Sequence, residues 1–362
     1  MEDSAAVKAK KKKTKTIWDK LLGSGFTTSV AALLLSLFAL AALAAVFGAN
    51  PIEVIARLFE GALSGRRQLI FTLTQTTPLI LAALAVYIPY QAGFFNIGGQ
   101  GQIQISALAA VLVTLHVNAA PDIVVPLAML AGMAAAMIGV LLPLFLKIKR
   151  GANEVTLTIM MTFALTHLVY ALVITVFKDP TAFFGTTRPV PAEFRLPTFF
   201  DMHVGIYIAV IVAVVTYWFL KNTVGGVYLK AAGLNPSASK ISGIKVNRMI
   251  FVSVLAGVAC AGLAGSIQVL GVSFRVAEEW ALGWGFAGIS VAFLGRNPIG
   301  IIPVAFILAT IETGARFMQA TTGVPAALSN VMQGLPVVIF IALAAWQQLR
   351  ASRKTSVSGG DE

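Results

Sequence analysis

Apolar residues in this chain come in long unbroken runs, not in the short-period alternation of a soluble core face. A helix rises 1.5 Å per residue, so the ~30 Å hydrocarbon core of a bilayer needs roughly 20 apolar residues. Ten runs meet or approach that length: 26–48, 69–90, 97–118, 122–146, 155–177, 203–220, 249–271, 284–295, 298–315 and 325–348. The third and eighth are interrupted by glycine. Because the runs are continuous, a β-barrel with its alternating strands is not expected. The fold class predicted is an all-α polytopic membrane protein of about ten transmembrane helices.

Composition agrees. Of 362 residues 57% are hydrophobic and 12% charged, against about 25% charged in soluble domains. Too little polar surface is present to solvate a globule of this size. The net charge of +12 would suggest nucleic acid in a soluble protein; here it reads as the positive-inside bias, with no nucleic-acid partner expected. With the N-terminus inside, inner segments hold 19 of the 27 Lys and Arg and outer ones 8, which favours N-in/C-in. The expected organisation is a basic cytoplasmic tail (1–25), a membrane domain (26–349) and a cytoplasmic tail (350–362). Lys8–Lys20 resembles a signal-peptide n-region, but the run after it has 23 residues where a cleavable core has about 7–15. An uncleaved span is favoured over cleavage at Ala42-Leu-Ala44, with the basic arm contacting membrane lipid. Cys260 stands alone in an apolar run, and His116, His167 and His203 are scattered. Neither a disulfide framework, a metal site, a cofactor nor a catalytic group is expected.

Polar residues within the runs are few and therefore informative. Asn96, Gln100 and Gln104 recur at i, i+4 and i+8, which on a helix is one face. Amides in lipid need partners, either neighbouring helices or a wet path, and their mixed donors and acceptors suit neutral hydroxylated or heterocyclic solutes. Gln75, Thr76 and Thr77 before Pro78, and Ser329, Asn330 and Gln333, are candidates for the same path. Glu312 and Arg316 are one turn apart, as an ion pair or in a transport role. His167 lies mid-span, either buried on a carbonyl or in a proton relay, and no acidic chain accompanies it. Phe274, Trp280 and Trp284 read as an aromatic belt or as a stacking surface for an entering base. Ala256/Cys260 and Ala261/Gly265 are small-residue pairs for close helix packing.

Residues 69–178 and 249–349 form two groups of similar length that begin on opposite sides, hence inverted repeats. The second member of each is glycine-interrupted, by Gly93, Gly98, Gly99 and Gly101 and by Gly283, Gly285 and Gly288. Paired broken segments mark a translocation path or close packing. In the long inner segment 221–248, Asn235 is a good N-cap, Pro236 suits the first helical position and Gly243 the left-handed terminator. The two-turn helix predicted over Pro236–Ser242 is marginal alone, so it is expected to dock on its own spans or on a cytoplasmic partner.

Several motifs occur in order: Ala92-Gly-Phe-Phe-Asn-Ile-Gly-Gly-Gln-Gly-Gln102, Gly151-Ala-Asn-Glu-Val155 with Thr158-Ile-Met160, Ala231 through Ile244, Leu255-Ala-Gly257, Gly262-Leu-Ala-Gly265, and Gly285 through Arg296. They resemble the ribose/branched-chain amino acid permease superfamily of ATP-binding-cassette importers, most closely its nucleoside branch served by basic-membrane-lipoprotein binding proteins. Gln100 departs from a usual Glu, and Met161-Thr162 from a usual Leu-Asn. The resemblance implies an inner-membrane permease subunit, not itself an enzyme, working by alternating access. It implies a separate ATPase, a second and different permease, and an extracytoplasmic binding protein. Ala232, Gly233, Asn235, Pro236, Ser239 and Gly243 would then form the ATPase-coupling element. A sugar or flavin substrate, or an ion-coupled carrier, are the alternatives. The chain has no Gly-x-x-x-x-Gly-Lys-Ser/Thr loop for ATP. Gly283-Trp-Gly-Phe-Ala-Gly288 lacks the βαβ context of a dinucleotide site.

Overall fold

The computed structural model describes residues 50–322 apart from 278, 279, 281 and 282, together with positions 35, 38, 42, 45 and 339. The runs 26–48 and 325–348, but for those positions, lie outside the described residues, as do both tails, Asn330 and Gln333.

Each of the eight runs between them forms a helix. With α1 (Pro51–Leu63) preceding them, they are α2 (Arg66–Gln91), α3 (Gly99–His116), α4 (Pro121–Arg150), α5 (Glu154–Ile174), α6 (Gly205–Asn222), α9 (Val246–Gln268), α10 (Trp284–Gly295) and α11 (Pro298–Thr322). Between α6 and α9 stand α7 (Val224–Leu234) and α8 (Pro236–Ile241). Six of these helices are long and apolar enough to cross a membrane: α2, α4, α5, α6, α11, and α9 with its π-helical extension Val269–Ser273. The exceptions are the two glycine-interrupted ones. The amides of α3 lower its hydropathy, and α10 has only 12 residues, about 18 Å of helix.

Hydropathy alone hid α1 and α7. α1 is amphipathic, burying Val54 and Leu58 while Glu53, Arg57 and Glu60 pair on its outer face. It starts at Asn50, whose side chain accepts from the Ile52 amide at 3.0 Å. α7 is glycine-rich and starts where Thr223 Oγ1 accepts from the Gly226 amide at 3.1 Å.

α2 lies at the centre. Its apolar window is 72% buried, whereas those of α5 and α6 are each 22% buried; α2 carries Thr72, Gln75, Thr76 and Thr77, polar groups that belong against protein and not lipid. Helices approach closely where side chains are small. A Cβ at Gly288 would meet Ala82 of α2 at 2.6 Å, and one at Gly262 would meet the Met133 backbone of α4 at 2.5 Å. Small residues thus line α9 as its spacing suggested, and Cys260 is buried among them. The inter-helix segment 175–204 holds a 3-10 turn (Ala192–Phe194) and a hairpin of β1 (Thr198–Phe199) and β2 (Met202–His203). α6 runs from this hairpin to α7, so the hairpin and the segment 221–248 lie at opposite ends of α6.

Candidate functional site

α2 ends at Gln91, with Gly93 at φ +80; the amides of residues 92–94 turn back onto the Pro89 and Tyr90 carbonyls, and residues 95–98 then cross the interior outside any helix before α3 begins. Irregular backbone at such depth must find other partners. Asn96, wholly buried, makes four hydrogen bonds, one of them to this segment's own backbone. Its Nδ2 donates to the Ala85 carbonyl at 3.2 Å and to Gln102 Oε1 at 3.0 Å. Its Oδ1 accepts from the Gly98 amide at 3.0 Å and from Gln102 Nε2 at 3.2 Å. Thr158 and Thr162, one turn apart on α5, grip Ile97 on both sides. Its amide donates to Thr158 Oγ1 and its carbonyl accepts from Thr162 Oγ1, each at 3.2 Å.

Gln100 and Gln104 share a face of α3 and reach the other broken segment. The Gly285 amide donates to Gln100 Oε1 at 2.9 Å, and Gln104 Nε2 donates to the Trp280 carbonyl at 2.9 Å. Gly99 and Gly285 lie back to back, and a Cβ at Gly285 would have no room beside the Gln100 backbone. The two glycine-interrupted segments therefore touch, joined by amides. Asn96 is not on the same face, because α3 starts three residues after it. Its side chain turns back on Gln102, a residue the i, i+4, i+8 pattern passed over.

The remaining candidates disperse. Gln75 Oε1, Thr77 Oγ1, Gln104 Oε1, Gln268 Oε1 and Thr313 Oγ1 are buried with no hydrogen-bond partner among the described residues. Thr166 Oγ1, Thr186 Oγ1 and His203 Nε2 share that condition. An orphaned polar atom in a dry interior costs about 1–3 kcal/mol, so each is a position where a water or a solute group would be stabilised. Gln268 and Thr313 were not anticipated, since neither recurs in a sequence pattern. Thr76 instead donates to the Thr72 carbonyl at 2.8 Å. Glu312 is buried and accepts from Arg316 at 2.7 Å, the arginine being largely exposed. His167 is not buried on a carbonyl: it is exposed on α5, near Phe163 and Leu168 on the same helix. Nor do the aromatics form a belt at 280–284. Trp284 is buried and Trp280 packs edge-on against it at 5.7 Å.

At the other edge of the broken segment sit α7 and α8, where the coupling residues were expected. Gly233 rests on the last turn of α2, where a Cβ would meet the Gly93 nitrogen at 2.9 Å and the Ala92 carbonyl carbon at 3.0 Å. Ala232 and Ser239 are buried. Asn235 caps α8, accepting from the Ala238 amide at 3.0 Å, Pro236 takes its first position, and Gly243 ends it at φ +80. The helix is one residue shorter than expected. Leu234 and Ile241, which bracket it, are 87% and 90% exposed. A cavity of about 340 Å³ opens nearby, lined by Tyr87, Tyr90 and Gln91 of α2 and by Phe293 and Arg296.

At the hairpin end, His203 is buried. Its Nδ1 accepts from the Gly205 amide at 3.1 Å, and loss of water drives its pKa from 6.5 down to about 4. Asp179 is held below the usual carboxylate range, first by the Thr181 amide and then by the Thr181 hydroxyl.

Six bilayer-length helices, with broken segments locked by buried amides, define a polytopic membrane protein built around an internal polar seam. The chain belongs to the family described as branched-chain amino acid transport system / permease component, which residues 68–341 match. It is 30% identical over 353 residues to the glucose ABC transporter permease protein TsgB13 of Haloferax volcanii, covering 94% of this chain and 92% of that one. It is 32% identical over 278 residues to the guanosine ABC transporter permease protein NupP of Bacillus subtilis, covering 75% and 80%. To the nucleoside ABC transporter permease protein NupB of Lactococcus lactis it is 31% identical over 311 residues, covering 82% and 85%. Each of these organisms also has a second, less similar permease, TsgC13, NupQ and NupC respectively. The protein is thus an ABC transporter permease subunit and a multi-pass protein of the inner membrane, in the family that its motifs suggested.

Proposed function

We propose that this chain is one of two different permeases of a nucleoside importer, moving substrate by alternating access while a separate ATPase closes on Leu234–Ile241. The observation that carries this reading is the seating of Gly233 on Gln91–Gly93. Displacement of α7 and α8 is transmitted directly to the segment that Asn96, Gln100 and Thr162 hold, and through Gln100 to α10. Ten spans with the N-terminus inside, and inverted halves over 69–178 and 249–349, complete the architecture. The excess of inner Lys and Arg supports the orientation. Nucleosides are favoured by the relatives named for guanosine and nucleoside transport, and by neutral amides and hydroxyls at the unpartnered positions. Paired permeases in three organisms support a heterodimer. An ionisable side chain within a span belongs against protein or water, not lipid. His167 therefore marks the face of α5 that the second permease covers. The glucose relative, matching 94% of this chain, supports a sugar as the second reading.

The test is uptake of radiolabelled guanosine and of glucose by vesicles holding the permeases, the ATPase and the binding protein. Gly233→Ala is expected to retain the ATPase on purification yet lose at least about tenfold in uptake, about 1.4 kcal/mol of coupling. Leu234→Ser with Ile241→Ser is expected to lose the ATPase itself. Wild-type uptake by the Gly233 variant would refute the coupling route, and glucose-only uptake would replace the substrate.

A further inference from the structure

The hairpin at 198–203 exposes two large rings where a soluble surface would not. Phe199 is 58% and Phe200 73% exposed, stacked edge to face with centroids 4.5 Å apart. The turn is strained to achieve this. Phe200 and Asp201 have φ +52 and +64, both left-handed, in the two-residue hairpin class usually filled by Asn-Gly. A bulky residue there is an outlier, and such outliers concentrate at functional positions. The turn is fixed from both sides: Arg66 pairs with Asp201, and His203 Nδ1 holds the Gly205 amide.

What covers the rings follows from where the hairpin sits. Phe199 packs against Tyr207 at 6.1 Å, and the Tyr207 hydroxyl donates to the Phe199 carbonyl at 3.3 Å. Tyr207 lies one turn into α6 and shares a helix face with Ile211, Val214, Val215 and Trp218, at i+4, i+7, i+8 and i+11. Tyr207 is half-buried, and from Ile211 to Trp218 the stripe is exposed on a membrane-spanning helix, which makes it a lipid-facing one. The two phenylalanines continue it past the helix end, at the depth of the Arg66–Asp201 ion pair. Aromatic rings beside charged groups are the composition of the membrane interface.

We propose that the 198–203 hairpin is a membrane anchor, with Phe199 and Phe200 immersed in the lipid leaflet on the side opposite the coupling segment. The strained turn aims Phe200 into the acyl-chain boundary while Asp201 stays with Arg66 among the headgroups. The anchor fixes the start of α6, so that motion at its other end, where α7 begins, is a tilt about a fixed point.

The full-length chain, with Cys260→Ala as background, is labelled with a nitroxide at Phe200→Cys and reconstituted in phosphatidylethanolamine/phosphatidylglycerol vesicles. Collisions with oxygen, enriched in lipid, and with a nickel chelate, confined to water, are compared by electron paramagnetic resonance. Ile211→Cys is the lipid reference and Glu193→Cys the aqueous one. The proposal expects an oxygen-to-nickel accessibility ratio at Phe200→Cys on the Ile211 side of the midpoint between references. A ratio on the Glu193 side overturns it. So does shielding from nickel that appears only when an extracytoplasmic binding protein is added, because the hairpin would then be a protein-docking surface. Should Phe200→Cys fail to fold, photolabelling of the wild-type chain with a lipid-soluble diazirine gives the same decision. The peptide containing Phe199 and Phe200 is either modified or spared.

Discussion

Gly285→Ala probes the contact between the two broken segments most directly. The new methyl carbon would sit 2.7 Å from the Gly99 carbonyl carbon, with the Gln100 backbone nearer still. Ordinary carbon contacts lie at about 3.5–4.0 Å, so the two chains must part by roughly 1 Å. Neither side can yield by a rotamer change, since both neighbours are backbone. Overpacking of this kind costs about 1–3 kcal/mol. Stretching the Gly285 amide bond to Gln100 Oε1 removes about 1 kcal/mol more. A total of about 2–4 kcal/mol is roughly a 30- to 1,000-fold loss in the folded population. At about 2–4 °C per kcal/mol for chains of this order of size, the midpoint falls by about 4–16 °C. The assay is the fraction of full-length protein remaining monodisperse in detergent after heating. The control is the facing residue: a Cβ at Gly99 would lie 3.6 Å from Gly285 Cα, an ordinary contact, so Gly99→Ala should shift the midpoint by only about 1 °C. Equal melting of the two variants, or an unshifted Gly285→Ala, would refute the reasoning.

Two further outcomes are expected. Asn96→Ala leaves both ends of the buried Gln102 amide unpaired and should cost about 2–4 kcal/mol in the same melting assay; wild-type stability with lost uptake would instead place Asn96 in the solute path. Stability should also depend on His203, because the unfolded chain takes up a proton near pH 6.5 while the folded protein resists until about 4. Its contribution is therefore constant above about pH 6.5 and lost as pH falls from there to 4, by about 3 kcal/mol in all. His203→Gln should flatten that window; a wild-type melting midpoint that is level from pH 7 to 4 would contradict it. Asp179, whose carboxyl is held low, adds a further loss only as the pH falls below about 4.

Which segments become helices was legible from the chain because that choice is local. Continuous apolar runs, Asn235 before Pro236, and Gly243 after the last turn each act within a few residues, and helices stand where they pointed. The need of α8 for support was legible too, since two turns are too few to be stable alone. α7 escaped because its glycine-rich sequence fits neither a span nor an obvious cap-to-cap pattern; α1 opens with Asn50-Pro51, the same signal as Asn235-Pro236, but its 13 residues are too few for a span. The fate of each polar side chain was not legible. Burial in an apolar interior demands a partner for every amide, but the demand does not name the partner. Only the tertiary fold sends Asn96 back to Gln102 and Gln100 185 residues onward to Gly285. His167 and Trp284 make the same point in opposite directions. A histidine in a span and a tryptophan near a span end look like interior and interface residues by position, yet packing put the first outside and the second inside. Spacing along one helix sets which residues share a face; only the neighbours of that helix decide what the face meets.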